Sequence, residues 1–203
     1  MVDRFDLIEK KVKSEIISKK VNFLHKLYAY FTDNKKFLGM TKDEEYVSHA
    51  YFFVMPFAGL FSILYISFQL IPSTYTRSLD WILLPIPALF LFILTMSFWF
   101  AYVLIASYSL NFIFSQLDYK VKFTQTAKGF IYGLPPFMIL STSFVYFSGN
   151  LLLRLLFPIL GLMLTILIQK RGILAYNDLP LNNKILPYIF LADSIILGFF
   201  LAY

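Results

Sequence analysis

The chain lacks cysteine altogether and carries few charged side chains for its length. The absence of cysteine among its 203 residues excludes disulfides, thiolate metal centres and cysteine catalysis. Only 15% of the residues are charged, against roughly 25% in ordinary soluble domains. The two histidines, His25 and His49, are isolated and predict no metal site. Gly-rich phosphate loops, nucleophile-elbow serines and paired helical histidines are also missing, so the sequence predicts neither an enzyme nor a bound cofactor.

Long apolar stretches fill most of the chain instead. Hydrophobic residues make up 59% of the sequence and aromatic residues 20%. A helix needs about 20 apolar residues to cross a hydrocarbon core about 30 Å thick. The stretches predict an all-α polytopic membrane protein with five transmembrane helices, at about 48–71, 83–115, 129–147, 151–169 and 185–203.

The second and third stretches need separate interpretation. Residues 81–117 carry no charge, but this length is too short for two crossings with a turn. We therefore predict one long helix that begins near Pro85 and Pro87 and ends at Ser115. In the next stretch, the turn residues Ser148-Gly149-Asn150 separate two spans.

Capping signals mark two helix starts. Thr41 and Glu44 have the spacing of a capping box and predict the start of the first span. Asn182 or Asn183 can cap the last span, where Pro187 lies in the first turn and is tolerated there.

The basic residues predict the topology. With the N-terminus inside, 16 of the 18 Lys and Arg residues lie on the cytoplasmic side, and only Arg77 and Arg154 lie outside. The chain then has a cytoplasmic arm, 1–46, and a membrane domain, 47–203, whose C-terminus is outside. The net charge of +6 indicates a membrane surface rather than nucleic acid.

The arm has apolar residues at helical spacing from Phe5 to Phe31 and predicts an amphipathic helix. One interpretation is an interfacial helix on anionic lipid, or a partner-binding helix; the other is a helix that packs on the protein's own cytoplasmic loops. The basic residues expected to meet a lipid surface are Lys10, Lys11, Lys19 and Lys20.

Asp193 is the only acidic residue within the predicted spans. A carboxylate at this depth is costly unless it is paired, protonated or hydrated. It is either a proton or ion site, or a polar anchor to neighbouring spans. The candidate partners are Ser141, Thr142 and Ser143 of the third span and Arg154 of the fourth.

Two further patterns concern helix packing. Ser194, Gly198 and Ala202 recur at intervals of four and predict a small-residue face for close helix contact. Pro135 and Pro136 break the hydrogen-bond ladder of the third span. Such a break forms either a transport site or a packed kink.

Three segments resemble the Yip-domain family of five-span membrane proteins. They are Phe31–Glu45 before the first span, Phe123–Pro136 at the start of the third, and Leu162–Pro187 around the last polar loop. The Asp-Leu-Tyr-Gly-Pro motif of the eukaryotic members is absent, and Leu117-Asp118 replaces the usual Gly-Gly. The resemblance therefore implies a prokaryotic member in the cell membrane, with endoplasmic reticulum or Golgi membranes as the alternative location. It implies no enzymatic activity and no cofactor.

Three functions remain as hypotheses. The first is a non-enzymatic scaffold, adaptor or accessory subunit that binds membrane proteins or copies of itself within the lipid bilayer. The second is a small transporter or channel that uses Asp193 and the Pro135-Pro136 break. The third is a structural subunit of a bioenergetic complex.

Overall fold

The computed structural model describes residues 23–42, 44, 46–69, 85–142, 149–179 and 186–202. The chain forms two compact units, Met1–Glu45 and Tyr46–Tyr203. The secondary structure in the described ranges is helical, without a strand, as the all-α prediction requires.

The first unit contains α1 (residues 23–32) and α2 (Asn34–Lys42). Asp33 separates them, and its carboxylate caps α2 by accepting the Lys36 N–H at 3.1 Å. The predicted capping box is wrong. Thr41 lies inside α2 and donates to the Phe37 carbonyl at 2.9 Å, while Glu44 forms an ion pair with Lys26.

The second unit contains six described helices: α3 (Val47–Gln69), α4 (Pro85–Gln116), α5 (Phe123–Gly133), α6 (Pro135–Ser141), α7 (Leu151–Tyr176) and α8 (Leu186–Ala202). Three of them include segments long and apolar enough to cross a membrane, namely Val47–Leu64, Leu89–Gln116 and Leu151–Tyr176. These helices support the membrane-protein prediction made from the apolar stretches.

Helix bounds differ from the prediction in informative ways. The second stretch is one continuous helix that begins at Pro85, as expected. α5 begins at Phe123, six residues before the predicted third span. α7 continues to Tyr176, seven residues beyond the predicted end, so Lys170 and Arg171 are helical rather than in a loop. The predicted spans end where charged residues begin, because hydrophobicity ends there. A helix itself continues until its backbone groups are capped.

Two aspartates close the long helices. Asp118 and Asp178 have positive φ values of 59° and 52°, the left-handed conformation in which glycine is usual after a helix. The Tyr119 N–H then bonds to the Phe114 carbonyl at 2.9 Å, and the Leu179 N–H bonds to Leu174 in the same way at 2.9 Å. The start of α7 is also capped, because the Asn150 side chain accepts hydrogen bonds from the Leu152 and Leu153 N–H groups at 3.1 and 3.2 Å.

The interior of the second unit is formed around α5 and α6. Every residue from Thr126 to Gly133 is buried. α5 and α6 pack mainly against α7 and also contact α3, while α5 contacts α4; α8 packs against α7 and α4. Gly129 and Gly133, four residues apart, allow the close contact with α7, because a Cβ atom on Gly129 would lie 2.9 Å from the Ile173 backbone nitrogen.

Candidate functional site

The helix break at Leu134 is the first part of the site. Pro135 and Pro136 have no N–H, so two hydrogen bonds of a continuous helix are lost there. Leu134 closes the end of α5 by donating to the Ile131 carbonyl at 3.1 Å. The next available donor, the Phe137 N–H, bonds to the Thr165 hydroxyl of α7 at 3.2 Å. A side chain of the neighbouring helix thus satisfies a backbone group that the prolines displaced.

Gln169 lies on the same face of α7 as Thr165, one turn further on. Its Nε2 donates to the Phe130 carbonyl at 3.4 Å, on the α5 side of the break. Its side chain fills the space that the missing Cβ of Gly133 leaves, since a Cβ there would overlap the Gln169 chain. α7 therefore contacts the backbone on both sides of the break, which is the geometry of a packed kink.

The Thr165 hydroxyl should be measurably important for stability. Thr165→Val leaves the buried Phe137 N–H without its acceptor, so we expect a loss of about 1–3 kcal/mol in unfolding free energy. Thr165→Ser keeps the hydroxyl and should retain most of that stability. Chemical unfolding of the detergent-solubilised protein measures both. Equal losses in the two variants would show that the hydroxyl is not what holds Phe137.

Asp193 is the second part of the site. It lies in α8, its side chain is fully buried, and its Oδ1 accepts a hydrogen bond from the Tyr102 hydroxyl of α4. The Gln169 side chain lies beside both groups. Gln169 thus places the helix break in α5–α6 next to the Tyr102–Asp193 pair, where polar side chains of α4, α7 and α8 come together.

These contacts differ from the partners predicted for Asp193. Arg154 is 15 residues from Gln169 along α7, or about 22 Å, which separates it from Asp193. The Thr142 hydroxyl donates to the Ile139 carbonyl of its own helix at 2.6 Å, and Ser141 is buried but does not bond to Asp193. Ser143 lies outside the described residues. Sequence position alone could not identify Tyr102, one of 14 tyrosines.

Aromatic rings enclose the pair. Trp99 and Phe130 each meet the Tyr102 ring edge-on, with ring centroids 6.0 Å apart, and Trp99 meets Phe137 in the same way. Beside Tyr102, an apolar groove of about 210 Å³ opens between α4 and α8. Phe98, Ile105, Tyr188 and Leu191 line it. The groove reaches the tyrosine ring but is not lined by Asp193.

The small-residue face is described only in part. The Ser194 hydroxyl donates to the Phe190 carbonyl of its own helix at 2.7 Å. Gly198 and Ala202 belong to α8, but the packing of this part of the helix lies outside what the structure describes. The basic residues Lys10, Lys11, Lys19 and Lys20 also lie outside the described residues.

A second polar cluster lies where α4, α5 and α7 end or begin. Thr126 donates to the Asn111 side chain at 2.8 Å, and Asn177 accepts the Lys122 N–H at 3.1 Å while it donates to Thr126 at 3.4 Å. Nearby on α5, Lys128 is fully buried, with its ammonium 5.3 Å from the centre of the Tyr176 ring. The predicted third span begins at about residue 129, which leaves Lys128 on the cytoplasmic side outside it; Lys128 is instead a core residue of α5, stabilised in part by a cation–π contact.

Comparison of the chain with family models, curated proteins and solved structures found no match. The Yip-domain resemblance therefore stays a prediction. Among the described residues, His, Asp and Glu side chains form no cluster of three that could hold a metal ion.

Proposed function

We propose that this chain is a non-enzymatic integral membrane protein that binds other membrane components, as a scaffold, an adaptor or an accessory subunit. The observation that supports it most directly is the use of polar side chains at the helix break. Thr165 and Gln169 bond to the backbone of α5 and α6, so the break joins helices of this chain rather than presenting its backbone to a substrate. The Yip-domain resemblance implies the same non-enzymatic class.

Isolation from native membranes tests this proposal. We expect membrane proteins, or further copies of the chain, to co-purify in mild detergent and to remain associated after chemical crosslinking of the membranes before extraction. A heat-dissociated sample run in parallel separates specific partners from proteins that bind the matrix. A monodisperse monomer with no crosslinked partner under several gentle conditions would count decisively against the proposal.

The proposal includes five spans with the N-terminus in the cytoplasm. In this arrangement α5–α6 and α8 cross the membrane together with α3, α4 and α7. A reporter inserted between Lys120 and Val121, in the loop between α4 and α5, should be cytoplasmic, and one fused after Tyr203 should be outside. Alkaline phosphatase and green fluorescent protein fusions provide the two complementary signals. Both reporters on the same side would contradict the five-span count.

A second candidate function is transport of protons or small cations. Asp193 Oδ2 and Gln169 Oε1 are buried and have no hydrogen-bond partner within the described part of the chain. Two buried acceptor oxygens beside a helix break provide the kind of polar environment in which an intramembrane carboxylate holds a proton or an ion. The groove beside Tyr102 brings a cavity close to this cluster.

Flux into liposomes tests the second candidate. It predicts proton or sodium flux above that of empty vesicles, loss of this flux in Asp193→Asn, and normal flux in Arg154→Gln, which changes a distant charge. Equal flux in the wild type and in Asp193→Asn would remove Asp193 from any transport mechanism.

A further inference from the structure

A stripe of exposed apolar side chains runs along α1. Leu24, Tyr28 and Phe31 are spaced by four and three residues, which places them on one face of the helix. Their side chains are 58, 68 and 61% exposed, whereas Ala29 on another face is buried. Three large apolar groups left in contact with solvent on ten helical residues are costly unless another surface covers them.

Basic residues extend this stripe. Asp33 joins α1 directly to α2: its N–H bonds to the Ala29 carbonyl at 2.8 Å, and its carbonyl accepts the Phe37 N–H at 3.0 Å. Lys35 and Lys36 follow in the first turn of α2, within five residues of Phe31, and both are exposed. The exposed apolar side chains of α1 and these two lysines are here called the α1 stripe: Leu24, Tyr28, Phe31, Lys35 and Lys36.

Chain length keeps the α1 stripe near a membrane. α2 ends at Lys42, and the first candidate membrane span begins at Val47. The five Cα–Cα steps from Lys42 to Val47 reach at most about 18 Å when extended, so the end of α2 cannot move further than this from the start of the span. A bilayer surface is consequently within reach of the unit at all times, at a high effective concentration.

We propose that the α1 stripe binds the headgroup region of a bilayer that contains anionic lipid. Apolar and aromatic side chains enter the boundary between headgroups and acyl chains, and lysines contact the anionic headgroups beside it. An anionic bilayer surface fits both parts of the stripe. The acyl boundary covers the apolar side chains, and the anionic headgroups neutralise the exposed ammonium groups. This inference does not depend on the scaffold function, since a transporter with the same arm would bind lipid in the same way.

The full-length protein allows a direct test, because it contains no native cysteine and a single introduced one can be labelled. Thr32→Cys places an environment-sensitive fluorophore at an exposed position next to Phe31. The labelled protein is reconstituted in vesicles of phosphatidylcholine alone, or of phosphatidylcholine mixed with phosphatidylglycerol. We expect blue-shifted emission and protection from an aqueous quencher in the anionic vesicles only, with reversal at high salt.

Variants separate the two parts of the surface. Lys35→Glu with Lys36→Glu should reduce the protected fraction and lower the effective binding constant at least about tenfold. The reason is that each lysine near an anionic surface raises that constant by a factor of roughly five. Lys120→Glu with Lys122→Glu makes the same change in charge at exposed positions elsewhere and should have little effect. Serine at Leu24, Tyr28 and Phe31 together should remove the protection.

Each other outcome contradicts the proposal. A label that stays accessible to the quencher in anionic vesicles shows that the stripe does not meet the bilayer. Protection that is independent of lipid charge and salt shows that anionic headgroups do not hold the stripe, and that a neutral bilayer or protein covers it instead. A second label at Gly149→Cys, in the exposed turn before α7, reports whether each variant is reconstituted normally, so a misfolded variant is recognised and replaced by the corresponding single substitutions.

Discussion

Gly129→Ala should destabilise the protein by about 3 kcal/mol, near the upper end of the cost of overpacking a well-packed interior. The added Cβ would lie 2.5 Å from the Ile173 Cγ1 atom, 2.9 Å from its backbone nitrogen and 3.1 Å from its Cα atom. A side chain can rotate away from such a contact, but the backbone of Ile173 lies inside α7 and cannot. Helices α5 and α7 must therefore separate, and this contact is the most extensive between any two described helices.

Gly59→Ala is the matched control, because Gly59 also lies within an apolar helix. A Cβ there would meet only the Phe92 Cε2 atom, at an ordinary contact distance of 3.8 Å. Alanine is the better helix former by roughly 0.5–1 kcal/mol, so this variant should be as stable as the wild type or slightly more stable. Thermal unfolding in detergent, followed by fluorescence-detected size exclusion, measures both variants. If Gly129→Ala unfolds at the temperature of the wild type, the contact between α5 and α7 is looser than the structure shows.

Gly129 and Gly133 form a small-xxx-small pair that the sequence displays as clearly as Ser194, Gly198 and Ala202. Close helix packing is predicted above only for the second set, which surrounds Asp193. The pair on α5 identifies the central helix contact, yet spacing does not reveal which neighbour packs against it. The partner is α7, and only the tertiary structure shows this contact.

Hydrophobicity predicted the helical, membrane-type architecture and the single long helix α4, because the cost of exposing backbone and charge to lipid is large and local. It did not predict where helices end. The spans predicted at about 129–147 and 151–169 leave Lys128 and Lys170 just outside them, whereas both lie in helices and Lys128 is buried near Tyr176. A favourable contact with a neighbouring helix can stabilise a charged side chain within a helix. Such a contact depends on tertiary structure and is not visible in the sequence.

The polar site shows the same limit. A lone carboxylate in an apolar stretch marked Asp193, and paired prolines marked the break in the third stretch. The connection between them depends on Gln169 and Tyr102, which lie on two other helices. Neither has a sequence signature, because their role comes from a helix arrangement that brings residues 130, 169, 102 and 193 together.

The Tyr102–Asp193 hydrogen bond should be detectable as a coupling between two substitutions. Asp193→Asn keeps an acceptor oxygen for the Tyr102 hydroxyl and should be mild, whereas Asp193→Leu leaves that buried hydroxyl without a partner and should cost about 1–3 kcal/mol. Tyr102→Phe removes the donor but keeps the ring in its aromatic contacts. After Tyr102→Phe, Asp193→Leu should cost less than it does in the wild type, by up to about 1.7 kcal/mol for a hydrogen bond within a membrane.

The same cycle with Arg154→Gln in place of Tyr102→Phe provides the control. Arg154 is about 22 Å along α7 from Gln169, and substitutions that far apart are expected to be additive. Chemical unfolding in detergent supplies the free energies for both cycles. Coupling of Asp193 to Arg154 but not to Tyr102 would show that the carboxylate is ionised and paired across the membrane, contrary to the structure. Coupling to Tyr102 alone identifies Asp193 as a polar anchor between α8 and α4. If liposome flux then survives in the Asp193→Asn variant, the carboxylate has no role in transport.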